Sequence, residues 1–467
     1  MPTDPSFIPL TELAAQLRSG ATTSLALVEA CLARIDAHDA KLHAFVDVYR
    51  DEALANARAA DLERGSGLPR GPLHGLPIAL KDLLHIAGRV TTAGSRSWAG
   101  RISDHTATVV DRLLGAGMIV LGKTHLVEFA FGGWGRNEPM GAPWNPWDLA
   151  RHRVAGGSSS GSAVAVAAGM TPAAIGSDTG GSVRIPAALC GLTGHKPTYG
   201  LVSLHGAVPL STTLDSIGPL ARTADDAALL TFAMAGPDPH DDATLRAPLL
   251  DLAAALDDDT DLRGSRIAAL APEQFPPYTE SAVAAAHDEA IRVLRERGAI
   301  VEEVRVPFDF DALARANGSI IAAEAYAFHK GYIEDPALPI DRWVRSRMVS
   351  GKSIGAADYI DALAARRRAA GAFAQWMRGR AALLTPTLPI TATPLEEVDE
   401  ATTPLALFTR PVNYLGACGL SLPAGFSSLG LPVGVQLIGA PFSDATILRI
   451  GRAFQRATDW HRRHPQL

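Results

Sequence analysis

Residues 156–186 read GGSSSGSAVAVAAGMTPAAIGSDTGGSVRIP, two glycine-serine clusters on either side of an apolar run, Ala163 to Ile175, that carries no charge. Small residues let backbone N–H groups approach a substrate, and a buried run between them acts as a rigid support, so the layout is that of a catalytic site. Glycine-serine clusters also form flexible linkers. Against a linker, the clusters hold no Lys, Glu or Gln, the run between them reads as a buried element, and the second cluster passes straight into Val183-Arg184-Ile185-Pro186.

Upstream, the short apolar run Pro77 to Leu80 ends in Lys81-Asp82, and Met118 to Leu121 ends in Gly122-Lys123. Each reads as a buried strand of an α/β sheet with a lysine at its carboxyl end, where sites in open sheets are built. Only six of the 43 basic residues are lysines, so each lysine in apolar surroundings is a candidate, and pattern alone makes Lys81 and Lys123 equal. Thr23-Ser24 reads as a cap for a helix over Ala26 to Ala37. Downstream, Ile267 to Leu270, a helix over Ser281 to Arg297 and Ile300 to Val306 form a β-α-β pattern, followed by a long helix over Ala356 to Arg378 and a run at Ala381 to Leu384.

With 467 residues and 47% hydrophobic content, the chain can bury a large core. A net charge of −6 without a basic stripe argues against nucleic acid. The odd, dispersed Cys31, Cys190 and Cys418 fit reduced thiols rather than a disulfide framework. The start lacks the pattern of a secretion signal, and no stretch reaches the roughly 18 apolar residues of a membrane span, so a soluble, cytoplasmic protein is expected. The acidic run Asp257-Asp258-Asp259-Thr260-Asp261 fails as a calcium loop, which would need glycine at Leu262 and a carboxylate at Ala268. It reads as a solvated connection. No histidine spacing indicates a metal site.

The central stretch resembles that of the amidase signature hydrolases, whose pattern is GGSSGGS, an alanine-rich helix, then (S/T)DTGGS(I/V)RxP; Ser160 stands where glycine is usual. The resemblance extends through Gly75–Asp82, Thr91–Ser95, Gly122–Thr124, Asn145–Asp148, Lys196–Gly200, Leu214–Thr223 and Gly430–Gln436. It implies an α/β fold with a large mixed sheet flanked by helices on both faces. The implied domain is single, over 1–467, with a catalytic core at about 70–230, an acidic surface connection at about 236–265, and a C-terminal part, 266–467, that completes the sheet and pocket.

The resemblance implies a Ser182 nucleophile in a Ser-Ser-Lys triad, with Ser158 bridging Ser182 and Lys81, and so selects Lys81 over Lys123. It also implies a cis peptide at Gly157–Ser158, and an oxyanion hole from the backbone N–H groups of Thr179, Gly180, Gly181 and Ser182. A lysine that acts as base must be neutral, and burial lowers its pKa from about 10.4. Asp178 and Arg184 are expected to hold the loop, Arg184 by pairing with a carboxylate. Gly157-Ser158-Ser159-Ser160-Gly161 also satisfies G-x-S-x-G, which would make Ser159 the nucleophile, but Asp148 to Val154 lacks the strand that such an elbow requires.

By the same resemblance, Ala130, Phe131, Gly132, Gly133 and Trp134 lie beside the reacting carbonyl. The region from about Ser319 to Gly351 and Phe408-Thr409-Arg410 are candidates to complete the pocket. The activity implied is amide hydrolysis through an acyl-enzyme, without metal or cofactor. Aryl or arylalkyl amides and anilides come first, with esters and carbamates open. The expected partner is a small-molecule amide, with no nucleic acid and no membrane, and a homodimer is left open. The main rival is the glutaminase subunit of a tRNA-dependent amidotransferase. That subunit tends to carry an acidic residue ahead of its Phe/Tyr-Thr, whereas this chain reads Leu405-Ala406-Leu407-Phe408-Thr409-Arg410.

Overall fold

A computed structural model describes residues 5–248, 261–402 and 404–467. In chain order the strands are β1 (Phe45–Val48), β2 (Pro77–Lys81), β3 (Ile119–Thr124), β4 (Ala173–Ser177), β5 (Thr193–Lys196), β6 (Ile217–Ala221), β7 (Arg266–Leu270), β8 (Ile300–Val304), β9 (Ala382–Pro386), β10 (Cys418–Phe426) and β11 (Pro432–Gly439). They form one eleven-stranded sheet in the order β1-β3-β2-β4-β6-β5-β10-β11-β9-β7-β8. It is mixed: β2 runs parallel to β3 and β4, β7 runs parallel to β8 and β9, and the strands between pair antiparallel. The two sequence halves meet where β5 pairs with β10.

Side-chain alternation divides the interior between the two faces of this sheet. Ile78 and Leu80 of β2 join one core with Val109, Val110 and Leu113 of the helix Thr108–Gly115. Ala79, between them, faces Val28, Ile35 and Ala163 to Ala168 in another, under the helices Ser24–Leu42 and Ser160–Ala167. The same division recurs at β9, where Leu383 and Leu384 enter different cores. Burial on both faces explains why these strands read as continuous apolar runs rather than alternating ones.

The apolar run of the central stretch divides in two. It becomes the helix Ser160–Ala167, a turn through Gly169 at φ +73°, and β4 beginning just past Pro172. The helix expected over Ala26 to Ala37 spans Ser24–Leu42, with the Thr23 side chain accepting from Ala26 N at 3.1 Å. The expected β-α-β unit appears as β7, the helix Ser281–Glu296 and β8, in parallel. Asp257 to Thr260 lie outside the described residues. Among the described residues, no helix is long and apolar enough to cross a membrane.

Gly161 sets how closely the helix Ser160–Ala167 approaches its neighbours. A Cβ there would stand 2.2 Å from the Ala44 carbonyl oxygen and 2.5 Å from His125 N, both backbone atoms. Gly161→Ala is therefore expected to cost about 1–3 kcal/mol of stability, because neither neighbour can rotate away. Urea unfolding of the variant against the parent checks this.

Candidate active site

The carboxyl ends of β2 and β4, neighbouring strands in the interior of the sheet, meet the loop before the helix Ser160–Ala167 and the loop after β4. Lys81 is the last residue of β2 and is fully buried. Its Nζ donates to Ser158 Oγ at 2.7 Å and to Ser177 Oγ at 2.9 Å. Burial pulls the Lys81 amine down to about 7, against the opposing pull of the Asp178 and Asp215 carboxylates. A group balanced there can take up and return a proton near neutral pH.

Lys123, its equal by sequence pattern, has a different environment. Its Nζ donates to Asp82 Oδ1 at 3.2 Å and to the Leu84 carbonyl at 2.6 Å, and Asp82 also accepts from Thr92. Lys123 is thus the ion-paired structural lysine, and Lys81 faces hydroxyls alone.

The peptide Gly157–Ser158 is cis. Ser159 N donates to the Ser182 carbonyl at 3.2 Å, which joins the two glycine-serine clusters directly. Ser159 Oγ donates to the Ser177 carbonyl at 3.2 Å and the side chain is fully buried, so it supports the loop and presents no hydroxyl to a substrate. The Ser182 side chain lines a cavity, with the residue 8% exposed. The hydrogen-bonded part of the expected triad is Lys81–Ser158, while Ser182 is tied to that loop through its backbone carbonyl.

Of the four expected oxyanion donors, Gly181 departs from expectation. Its N–H is taken by Asp178 Oδ1 at 2.7 Å, because the Asp178 carboxylate sits inside the turn and also accepts from Val183 N at 3.1 Å. The N–H groups of Thr179, Gly180 and Ser182 have no partner among the described residues. Thr409 Oγ1 donates to the Gly180 carbonyl at 2.8 Å, and Thr179 Oγ1 to Asp215 Oδ1 at 2.5 Å, so the loop is pinned from both sides. Burial pushes the Asp215 carboxyl up to about 6, despite the Thr179 hydroxyl and the Ser211 and Leu210 N–H groups that it accepts.

Arg184 pairs with Asp178 itself, through Nη2 at 2.9 Å and Nε at 3.0 Å, and both side chains are fully buried. Its Nη1 donates to Gln436 Oε1 at 2.6 Å and its Nη2 to Asn413 Oδ1 at 2.7 Å. Burial alone would raise the Asp178 carboxyl, but the Arg184 guanidinium, followed by Lys196 and the Val183 N–H, holds it down at about 2.

Ala130, Phe131, Gly132, Gly133 and Trp134 line the same cavity as Thr179, Gly180 and Ser182. Trp134 Nε1 donates to the Thr402 carbonyl at 3.1 Å, which fixes that ring as wall. The cavity is completed by Ile321 and Arg347 from the region expected to close it, by Arg410, and by Leu210, Leu405 and Ala406, which the sequence did not single out as pocket residues. Ser177, the second partner of Lys81, stands at the first position of the (S/T)DTGGS motif but had no role assigned to it from sequence. Among the described residues, no group of three His, Cys, Asp or Glu side chains is arranged to hold a metal ion.

The profile of the Amidase family matches residues 26–448. The chain belongs to this family, and is accordingly an enzyme of amide C–N bonds. It is 43% identical over 478 residues to the A-type subunit of a glutamyl-tRNA(Gln) amidotransferase from Chloroflexus aggregans, covering 97% of this chain and 96% of that protein. The peptide amidase of Stenotrophomonas maltophilia superposes with a TM-score of 0.86 at 33% identity, covering 98% of each chain. The A-type subunit of the glutamyl-tRNA(Gln) amidotransferase from Thermotoga maritima does so with 0.80 at 34% identity, covering 97% of this chain and 96% of that one.

Removing the Arg184 cation would leave the Asp178 charge buried and unpaired. Arg184→Met is expected to cost about 3–5 kcal/mol, measured by urea unfolding at pH 7. The Asp178 contribution in the parent should be complete above its ordinary value of 3.8 and lost as the pH falls through about 2, since the folded carboxyl is the more acidic one.

Proposed function

We propose that the chain hydrolyses a carboxylic amide through an acyl-enzyme on Ser182, working as one domain. The observation that carries this is the buried Lys81 amine, held 2.7 Å from Ser158 Oγ in the loop that binds the Ser182 backbone, with its pKa pulled down to about 7. Ser182 Oγ attacks the amide carbon while its proton passes to Ser158 Oγ and the Ser158 proton passes to Lys81 Nζ. The carbonyl oxygen, now negative, meets the free N–H groups of the Thr179–Ser182 loop. The relay then returns the proton to the leaving nitrogen, the C–N bond breaks, and water cleaves the ester by the same route.

Two settings for this chemistry have separate support. The sequence relatives favour the glutaminase subunit of an amidotransferase, since glutamyl-tRNA(Gln) amidotransferase chains match nearly the full length at up to 43% identity. In that setting the chain would work beside a tRNA, contrary to the expectation of no nucleic-acid partner, because the relative is named for glutamyl-tRNA(Gln). An aryl amide draws no support from these names. A stand-alone amidase is favoured by the pocket wall. Leu405 and Ala406 are apolar, and among the described residues no carboxylate lines the cavity to meet the α-ammonium of glutamine.

Ammonia release by the purified chain, alone and with the other components of a glutamyl-tRNA(Gln) amidotransferase, separates the settings. Glutamine turnover that needs the partners supports the first, and turnover of other amides by the chain alone supports the second. Ser182→Ala is expected to lower kcat on the order of 10⁴-fold or more in either; residual turnover near the parent rate would remove Ser182 as nucleophile. In the parent, kcat/KM should fall about tenfold per pH unit below about pH 7 as Lys81 takes up its proton. A pH-rate profile flat from pH 5 to 8 would remove Lys81 as base.

A further inference from the structure

Arg410 opens the short helix Arg410–Tyr414 and is half-buried in the wall of the Ser182 cavity. A Cβ built on Gly180 would meet Arg410 Cγ at 2.9 Å and Nε at 3.6 Å, and one built on Gly318 would meet Nη1 at 3.4 Å. The Arg410 stem therefore lies along the Thr179–Ser182 loop, and its guanidinium reaches toward the helix Phe310–His329. Among the described residues, no carboxylate pairs with it and no hydrogen bond occupies its N–H donors.

The other arginine of the cavity is committed. Arg347 pairs with Glu400, donates to the Glu400 carbonyl at 3.0 Å, and donates through Nη1 to the Phe131 carbonyl at 2.9 Å. With Arg347 balanced by Glu400, the cavity wall carries one net positive charge, and it sits on Arg410. Loss of surrounding water, followed by repulsion from Arg347, pulls Arg410 down to about 10, which leaves it charged at neutral pH. The Arg410 guanidinium is partly withdrawn from water and has no partner among the described residues, and its planar fork of donors matches a carboxylate.

Arg410 and Ala406 also border a second cavity of about 480 Å³, lined by Tyr278, Asp311 and Arg315. Asp311 there is bound to Arg315, so it does not satisfy Arg410. Arg410 thus stands between a roomy outer space and the narrow space at Ser182.

We infer that Arg410 binds a carboxylate on the acyl portion of the substrate, so that the amide cleaved is a half-amide of a dicarboxylic acid. This rests on the Ser182 acyl-enzyme proposed above. The single net charge favours a monoanionic carboxylate over a dianionic phosphate.

The test compares kcat/KM for glutaramate and succinamate with that for the neutral amides valeramide and butyramide, which match them in carbon number. The parent enzyme should prefer the charged member of each pair by about 10–100-fold, the effect of a charge-assisted pair. Arg410→Met should bring that ratio toward one, with Arg410→Lys between. Each ratio is taken within one folded enzyme, so partial misfolding cancels. A ratio near one in the parent, or one unchanged by Arg410→Met, overturns the inference. Calorimetric binding of glutaramate to the Ser182→Ala protein gives an answer independent of turnover. Weakening by about 10–100-fold on adding Arg410→Met supports the inference even if the acyl-enzyme reading fails, and equal binding overturns it. Failure of the acyl-enzyme reading is seen separately, as turnover that survives Ser182→Ala.

Discussion

The buried pair between Asp178 and Arg184 is the constraint on which the site depends. Neither side chain has any exposed surface, and every strong donor and acceptor around them is used. The Asp178 carboxylate closes the turn through Gly181 N and Val183 N, while Arg184 extends the network to Gln436 on β11 and Asn413. A buried ion pair adds little net stability compared with apolar packing, because desolvation offsets the attraction. What this one provides is geometry. The glycine-rich loop, which has no side-chain bulk to hold its shape, is fixed from inside by one carboxylate.

Two buried lysines on neighbouring parallel strands illustrate how environment separates identical residues. Lys123 meets Asp82, so its positive charge has a fixed partner. Lys81 hydrogen-bonds to two hydroxyls, so burial outweighs the pull of the Asp178 and Asp215 carboxylates and its proton becomes labile. The difference lies in one carboxylate, and Asp82, adjacent to Lys81 in sequence, is turned toward the other lysine. Strand alternation and the turn after β2 account for this together: Lys81 lies opposite Thr124 and Lys123 opposite Leu80, so the two amines leave opposite faces of the sheet, and the turn that Leu84 N closes on the Lys81 carbonyl carries Asp82 to Lys123.

That difference also marks where sequence reading stops. Strands β2 and β3 and the helix Ser281–Glu296 were legible because their apolar patterns are local. The central stretch was legible because its residues are contiguous. Which lysine bonds to Ser158 was not legible from pattern, since both follow an apolar run and end in the same way; only the family resemblance separated them. The resemblance pointed to Arg410 and to the region holding Ile321 and Arg347, but not to which side chains of that region or of Leu210 and Leu405 meet the cavity, because they come from segments far apart in the chain and share no periodicity. Their meeting is a product of the sheet order, in which β5 and β10 lie side by side. The occupation of Gly181 N by Asp178 was hidden for another reason: a glycine-rich run states that donors can converge, but not which of them are already used.

The pairing of β5 with β10 has a further consequence, for how such a chain comes into being. The nucleophile loop lies at residues 178–184, yet its supports, Thr409, Asn413 and Gln436, are supplied more than 200 residues later. During synthesis the first half of the sheet emerges and can begin to fold while β10 and β11 are still unmade. The loop must then wait, without its distant hydrogen-bond partners, until β10 and β11 have been made. Contacts that span such separations form slowly, and assembly of the site becomes the closing event of folding rather than an early one. A nascent or truncated chain would accordingly hold all three residues of the proposed triad and still lack the framework that aligns them.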